Sequence, residues 1–297
     1  MASMITGVLD RRVTGSLTFT TRQRDDPADF VRTRGVVLRA HAGLALPLDG
    51  IPVDPATPGP ADAPVASGKV AVLHDDGSLL VRVHQRSESG ADVRTVACSN
   101  ATAAASAAYA GDRPLSFALA LPGGQTVAVD THARLVAPGE VAVVQTWHDV
   151  RADVHETGIV DGRRVARCCG PLNDYLLVTG RPDDAADALT LDDARALWAR
   201  FGFLDTPLRA RLAFVRGNAP RPRAAFFTCG GREHPSAPLT GLAVLAIARH
   251  RLDWPELRGL DAVETGIGPI GLPGATVARD GATTFEFPSV VVRLDHP

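Results

Sequence analysis

The chain has 297 residues, of which 45% are apolar and 22% charged, with a net charge of −2. That is enough for one large domain or two modest ones with a buried core, and too little positive charge for a nucleic-acid surface. No apolar run approaches the roughly 18 residues of a membrane span, residues 1–10 lack the apolar centre of a signal peptide, and the four cysteines at 98, 168, 169 and 229 form no disulfide framework. The expectation is therefore a cytoplasmic protein in a reducing compartment, with no nucleic-acid or membrane partner.

In chain order, a short strand is expected over 16–20, a charged loop over 22–29 and a strand over 35–39. Residues 44–67 carry Pro47, Pro52, Pro55, Pro58, Pro60 and Pro64 and read as an irregular loop. Strands over 70–73 and 79–84 flank Asp75-Asp76-Gly77, a hairpin turn. Ser99 or Asn100 is expected to cap a helix that runs to about Ala110. Seven of its residues are alanine and its side chains are small nearly all round, which suits a helix closely enclosed by sheet. Strands follow over 115–121, 126–129 and 141–147, with a turn at Pro122-Gly123-Gly124.

A second half begins near Arg151. It reads as a strand over 174–178, then a capping box at Thr190-Leu191-Asp192-Asp193 that opens an amphipathic helix to Phe201. Strands over 212–216 and 223–227 precede Pro238-Leu239-Thr240-Gly241 and an apolar helix over 242–248. A last strand covers 289–294. Leu-Pro-Gly stands at 121–123 and again at 272–274, each soon followed by Thr-Val, as in a weak internal repeat. The expected fold is α+β: two pseudo-symmetric lobes, 1–150 and 151–297, each a central apolar helix wrapped by mostly antiparallel sheet. The two helix starts, with unpaired N–H groups at the positive dipole end, are expected to offer seats for carboxylates at a shared cleft.

Two residues suggest chemistry. Lys69 is the only lysine among 31 basic residues. Arginine stays protonated in proteins, whereas lysine can be tuned to act as a base. Cys98 stands where a helix begins, and a thiol at a helix N-terminus is a second way to make a proton-transfer group. The bland alternatives are a surface lysine and a small buried hydrophobe.

Ser67-Gly68-Lys69-Val70-Ala71-Val72 and Ala97-Cys98-Ser99-Asn100-Ala101 resemble the Ser-Lys-Val strand and Cys-Gly-Asn helix start of the 2-methylaconitate isomerase and 4-oxalomesaconate tautomerase family. His234-Pro235-Ser236-Ala237-Pro238-Leu239-Thr240-Gly241 resembles that family's second-lobe segment ending in Thr-Gly, and Ile270-Gly271-Leu272-Pro273-Gly274 its late Ile-Gly-His-Pro-Ser-Gly. The wider group has the diaminopimelate-epimerase fold and includes phenazine-type isomerases, whose Phe-Phe…Glu-Asp-Pro…Thr-Gly is echoed by Phe226-Phe227…Glu233-His234-Pro235…Thr240-Gly241.

The resemblance implies a cofactor-independent isomerase or tautomerase that shifts a proton and a double bond in an unsaturated di- or tricarboxylate. It implies Lys69 and Cys98 as the catalytic pair. Substrate would be held by Ser99, Asn100, His234, Ser236, Thr240 and Gly241, with no metal and no cofactor. A homodimer is left open. An amino-acid epimerase or phenazine-type isomerase is the first alternative. The second cysteine of two-cysteine epimerases falls near Pro238, which counts against the epimerase form. A non-catalytic small-molecule-binding relative is the second alternative; the family's N-terminal Arg-Gly-Gly-Thr-Ser-Lys-Gly has at best a remnant at Leu38-Arg39-Ala40.

Other motifs read as structural. Cys168-Cys169 and Cys229 lack metal spacing, and His148 and His155 are not an i, i+4 pair. Arg82 and Arg86 read as solvated strand charges. Gly266 to Gly271 matches a dinucleotide fingerprint by letters but is followed by Leu272-Pro273-Gly274 rather than a helix.

Overall fold

The computed structural model describes residues 13–22, 34–40, 66–87, 90–109, 114–121, 124–169, 172–181, 188–202, 210–216, 222–228, 232–234, 238–265 and 268–295. The elements are, in order, β1 (Val13–Arg22), β2 (Arg34–Ala40), β3 (Ala66–His74), β4 (Ser78–Ser87), β5 (Gly90–Thr95), α1 (Ser99–Tyr109), β6 (Leu115–Ala120), β7 (Thr126–Ala137), β8 (Glu140–Val150), β9 (Asp153–Val160), β10 (Arg163–Cys169), β11 (Asp174–Thr179), α2 (Leu191–Arg200), β12 (Ala210–Arg216), β13 (Arg223–Thr228), β14 (Arg232–His234), α3 (Leu239–Arg251), β15 (Ala262–Thr265), β16 (Gly268–Gly271), β17 (Gly274–Val277) and β18 (Thr283–Asp295). The fold is α+β, in two compact units: Met1–Trp147 with Ser289–Pro297, and His148–Pro288. The C-terminal strand, expected in the second lobe, lies with the first unit, because residues 291–295 bond to β1. The expected loops at 23–29 and 44–65 and the turn residues Pro122 and Gly123 lie outside the described residues.

In the first unit the strands follow the order β1-β2-β3-β4-β6-β7-β8-β18, and β18 also pairs with β1, so the sheet closes on itself. From β1 to β8 the pairing is antiparallel except between β2 and β3 and between β4 and β6. The turn expected at Asp75-Asp76-Gly77 joins β3 to β4, with Gly77 at φ +81° and Ser78 held by the Asp76 carboxylate. β7 shows the alternation that fixes its register: Val127, Val129, Thr131 and Ala133 are buried, and Ala128, Asp130, His132 and Arg134 are exposed.

A closed eight-stranded sheet has an interior little wider than its own side chains. A helix fits inside only if its side chains are short, which is why α1 is built from alanine: Ala101, Ala103, Ala104 and Ala105 are fully buried. Its hydroxyls at Thr102 and Ser106 are bonded. Thr102 Oγ1 donates to the Cys98 carbonyl (3.0 Å), Ser106 Oγ to Thr131 Oγ1 (2.7 Å), and Thr131 Oγ1 to the Leu115 carbonyl (3.0 Å).

The second unit is built on a sheet of order β16-β15-β13-β12-β11-β10-β9, with β14 added to β13. Leu176, Val178, Leu212, Phe214 and Phe227 face α2, where they pack with Ala194, Leu197 and Trp198. The alternate residues Tyr175, Leu177, Ala213, Val215 and Phe226 take the other face, against which α3 packs. Burial on both faces explains why β11 reads as an unbroken apolar run. From Leu239 to Ala248 every residue of α3 is buried. At α2, Thr190 Oγ1 accepts from the Asp193 N–H (3.2 Å) and the Asp193 carboxylate accepts from the Thr190 N–H (2.9 Å), the capping box expected from sequence. These Thr190 hydrogen bonds hold the Asp193 carboxyl below its ordinary pKa.

The internal repeat does not hold at Leu-Pro-Gly. The copy at 121–123 separates β6 and β7, which pair with each other, whereas the copy at 272–274 separates β16 and β17, which belong to different sheets. Among the described residues, no helix is long and apolar enough to cross a membrane.

Candidate functional site

The two enclosed helices begin differently from the surface helix α2. Whereas α2 has a full capping box and two acidic residues in its first turn, neither α1 nor α3 has an acidic residue there. Their positive dipole ends are therefore not offset by carboxylates of their own first turns.

Ahead of α1 the chain leaves β5, and the Val96 N–H bonds to the carbonyl of Val81 in β4 (3.0 Å). The Cys98 carbonyl then accepts from the Thr102 N–H (3.0 Å), the first helical bond. Cys98 is thus the N-cap, where Ser99 or Asn100 was expected, and Ser99 is the first helical residue. The Cys98 thiol is free, and the residue is only 8% exposed.

The first turn is held from β8. Gln145 Nε2 donates to the Ser99 carbonyl (2.8 Å), and Trp147 Nε1 donates to Gln145 Oε1 (3.0 Å), all within fully buried surroundings. Gln145 and Trp147 sit two apart on one face of β8, so the indole fixes the amide and the amide fixes the helix start. Sequence inspection did not single out these two residues. The available signal was a glutamine at an inward position of the alternation Val143, Gln145, Trp147.

Lys69 lies in β3, opposite Gly35 of β2 and Val83 of β4. Two residues further along, Ala71 pairs with Val81, the residue that receives the Val96 N–H just before Cys98. The backbone thus brings Lys69 and the start of α1 into one corner of the first unit. The Lys69 side chain lies outside the described residues, as do Ser236, Cys229 and the side chain of His234. The His234 backbone pairs with Phe226.

At α3 the N-cap is Pro238, which has no side chain able to cap; its carbonyl accepts from the N–H groups of Gly241 (2.8 Å) and Leu242 (3.0 Å). Thr240 is buried, with its Oγ1 3.4 Å from the Tyr175 hydroxyl. Gly241 is required by space. A Cβ there would stand 2.7 Å from Phe226 Cε1, 2.9 Å from Cδ1 and 3.1 Å from Pro238 Cγ. Phe226 is only 2% exposed and cannot swing away. Gly241→Ala is expected to destabilise the protein by about 1–3 kcal/mol through overpacking, despite alanine's helix preference. A lower urea midpoint at unchanged slope would show it; an unchanged midpoint would mean that Phe226 yields.

Cys168 faces Tyr175 across β10 and β11 and is fully buried. Burial pushes its thiol far above the ordinary range, with the neighbouring Cys169 adding to the shift. It is a packing residue. Among the described residues, no three His, Cys, Asp or Glu side chains gather as a metal-binding group.

The chain matches no protein-family model and no curated protein. Solved structures give likenesses at low identity. A protein of the phenazine biosynthesis PhzC/PhzF kind from Clostridium difficile (strain 630) is 11% identical, with 95% of this chain and 99% of that one covered and a TM-score of 0.48. A phenazine biosynthesis PhzF-family protein from Enterococcus faecalis is 9% identical, with 95% and 100% covered and a TM-score of 0.45.

Proposed function

We propose that the protein is a cofactor-independent isomerase that moves a proton, and with it a double bond, in an unsaturated di- or tricarboxylate. Lys69 and Cys98 are the proton-transfer pair. Ser99, Asn100, Thr240 and Gly241, with His234 and Ser236, hold the substrate's carboxylates. The observation that carries this reading is the pair of helix caps. Cys98 caps α1, Pro238 caps α3, and neither helix has an acidic residue in its first turn. A thiol at one helix start and none at the other favours one-thiol chemistry over the two-thiol exchange of an epimerase. The sequence resemblance around Lys69, Cys98 and Thr240-Gly241 supports the same class.

In the reaction, a neutral Lys69 amine or the Cys98 thiolate removes a proton from the carbon next to the double bond. The electron pair moves through the alkene into the carboxylate, giving a dienolate. The proton then returns to the far end of the three-carbon unit, so nothing is oxidised or reduced. The helix-start N–H groups stabilise the charge that develops on the carboxylate oxygens. Lysine acts as a base only when held neutral, by burial or a nearby positive charge.

The test is incubation in deuterium oxide with a panel of unsaturated di- and tricarboxylates, followed by proton NMR. A substrate is expected to shift its double bond and take up one deuterium at the allylic carbon. Absence of both exchange and double-bond shift across the panel would overturn the reading.

A further inference from the structure

The hydrogen bonds that hold the start of α1 run in one direction, and chemistry fixes that direction. The Trp147 indole can only donate, and the Ser99 carbonyl can only accept. Gln145 lies between them, so its carboxamide oxygen faces the indole (3.0 Å) and its amide nitrogen faces the carbonyl (2.8 Å). The turned-over carboxamide would set oxygen against oxygen and N–H against N–H. Gln145 and Trp147 are fully buried and Ser99 is 3% exposed, so bulk water does not compete for these bonds.

The Ser99 carbonyl does not need the glutamine in order to be satisfied. Ser99 is the first residue of α1, and a helical carbonyl accepts from the N–H four residues on. Gln145 adds a second donor to the same oxygen. The consequence lies at the other end of that peptide. A donor on an amide oxygen draws electron density from the amide nitrogen and makes its N–H a stronger donor in turn. The peptide that carries the Ser99 oxygen also carries the Asn100 N–H, in the first turn, where N–H groups point out of the helix start. The indole acts in the same way on the Gln145 carboxamide, one link further back.

We propose that Trp147 and Gln145 are positioning residues of the α1 site: indole, carboxamide and the Ser99–Asn100 peptide form one polarised chain, which strengthens the Asn100 N–H as a donor to developing negative charge. Both side chains are fully buried and act only through that peptide. Each link strengthens the next by about 10–30%. The gain grows with the charge on the acceptor, so it favours the transition state over the bound substrate. The chain's part in turnover rests on the isomerase reading, in which a carboxylate oxygen gains charge as the dienolate forms. The polarisation itself does not rest on it.

The experiment is proton–nitrogen NMR of the full-length, ligand-free protein, followed by kinetics on the panel of unsaturated di- and tricarboxylates. Gln145→Met is expected to move the Asn100 amide nitrogen and proton upfield. Trp147→Phe, one link further from the helix, is expected to move them the same way by less, and it keeps the test open if Gln145→Met does not fold. In turnover, kcat is expected to fall about tenfold in Gln145→Met, short of the roughly 10²–10³ for a donor removed outright, and by less in Trp147→Phe. KM is expected to stay close to wild type, because the loss falls on the transition state. A purely structural role would lower the melting temperature and leave the Asn100 signals and, below the melt, kcat unchanged. Asn100 signals unmoved in every variant that folds would overturn the chain. Moved signals with an unchanged kcat would overturn its part in turnover. Moved signals in a protein that turns over no compound of the panel defeat only the isomerase reading.

Discussion

Gln145→Met is expected to destabilise the protein by about 2–4 kcal/mol and to impair any chemistry at the start of α1. Methionine matches glutamine in length and fills the same volume, so little of the loss comes from a cavity. The loss comes from hydrogen bonds. The Trp147 indole N–H loses its Gln145 acceptor, and the Ser99 carbonyl loses the Nε2 donor, both in fully buried positions. A buried donor left without its acceptor costs about 1–3 kcal/mol, and the second lost bond adds roughly 1. A double-mutant cycle with Trp147→Phe separates this from general disruption. If the indole and amide act as one chain, Gln145→Met costs far less when the indole N–H is already gone. Strict additivity would mean that the two residues stabilise the first unit independently.

The second large effect concerns Lys69. Lys69→Arg keeps the positive charge and most of the length but supplies a group that stays protonated. If Lys69 is the base, deuterium exchange falls by roughly 10²–10⁴-fold, the range for a positioned general base, while the circular dichroism spectrum and melting temperature stay close to wild type. Cys98→Ala is expected to give a comparable loss. The double variant should lose little more than either single one, because groups that act in one proton-transfer step are not additive. Full exchange in Lys69→Arg excludes Lys69 as the base and leaves Cys98 to act alone.

Much of the fold was legible where the signal is local. The alanine-rich stretch after Cys98 identified an enclosed helix, Asp76-Gly77 a turn, and Thr190 to Asp193 a capping box. Two things were not local, and one local signal was passed over. The pairing of β18 with β1 joins segments at opposite ends of the chain, and no short window reveals it. The helix cap moved by one residue to Cys98 because the start of the hydrogen-bond ladder depends on where the chain leaves β5, not on the side chain's preference. The hairpin of β9 and β10 was not among the expected elements, although Asp161-Gly162, both at positive φ, is a strong turn signal.

The candidate site was legible in part. Lys69 and Cys98 stood out by composition and position, and the structure adds the register that brings their backbones into one unit. Gln145, Trp147 and Tyr175 did not stand out. A buried polar residue reveals itself only through partners that are distant in sequence, as Gln145 does with Ser99 and Tyr175 with Thr240.

The closure of the first unit by β18 has a consequence for biosynthesis. Residues 289–295 are needed to seal the sheet around α1, yet they leave the ribosome after every other strand of that sheet. Until then the enclosing sheet has an open side with two unpaired strand edges, β1 and β8, and the alanine helix lacks part of its wall. The second unit's His148–Pro288 is complete in the nascent chain before the first unit can close. The usual order of N-terminal unit first is thus reversed at the decisive step. Pairing over such a sequence separation is also intrinsically slow. The exposed edges of the waiting first unit are where a chaperone, or a second nascent chain, would meet this protein during synthesis.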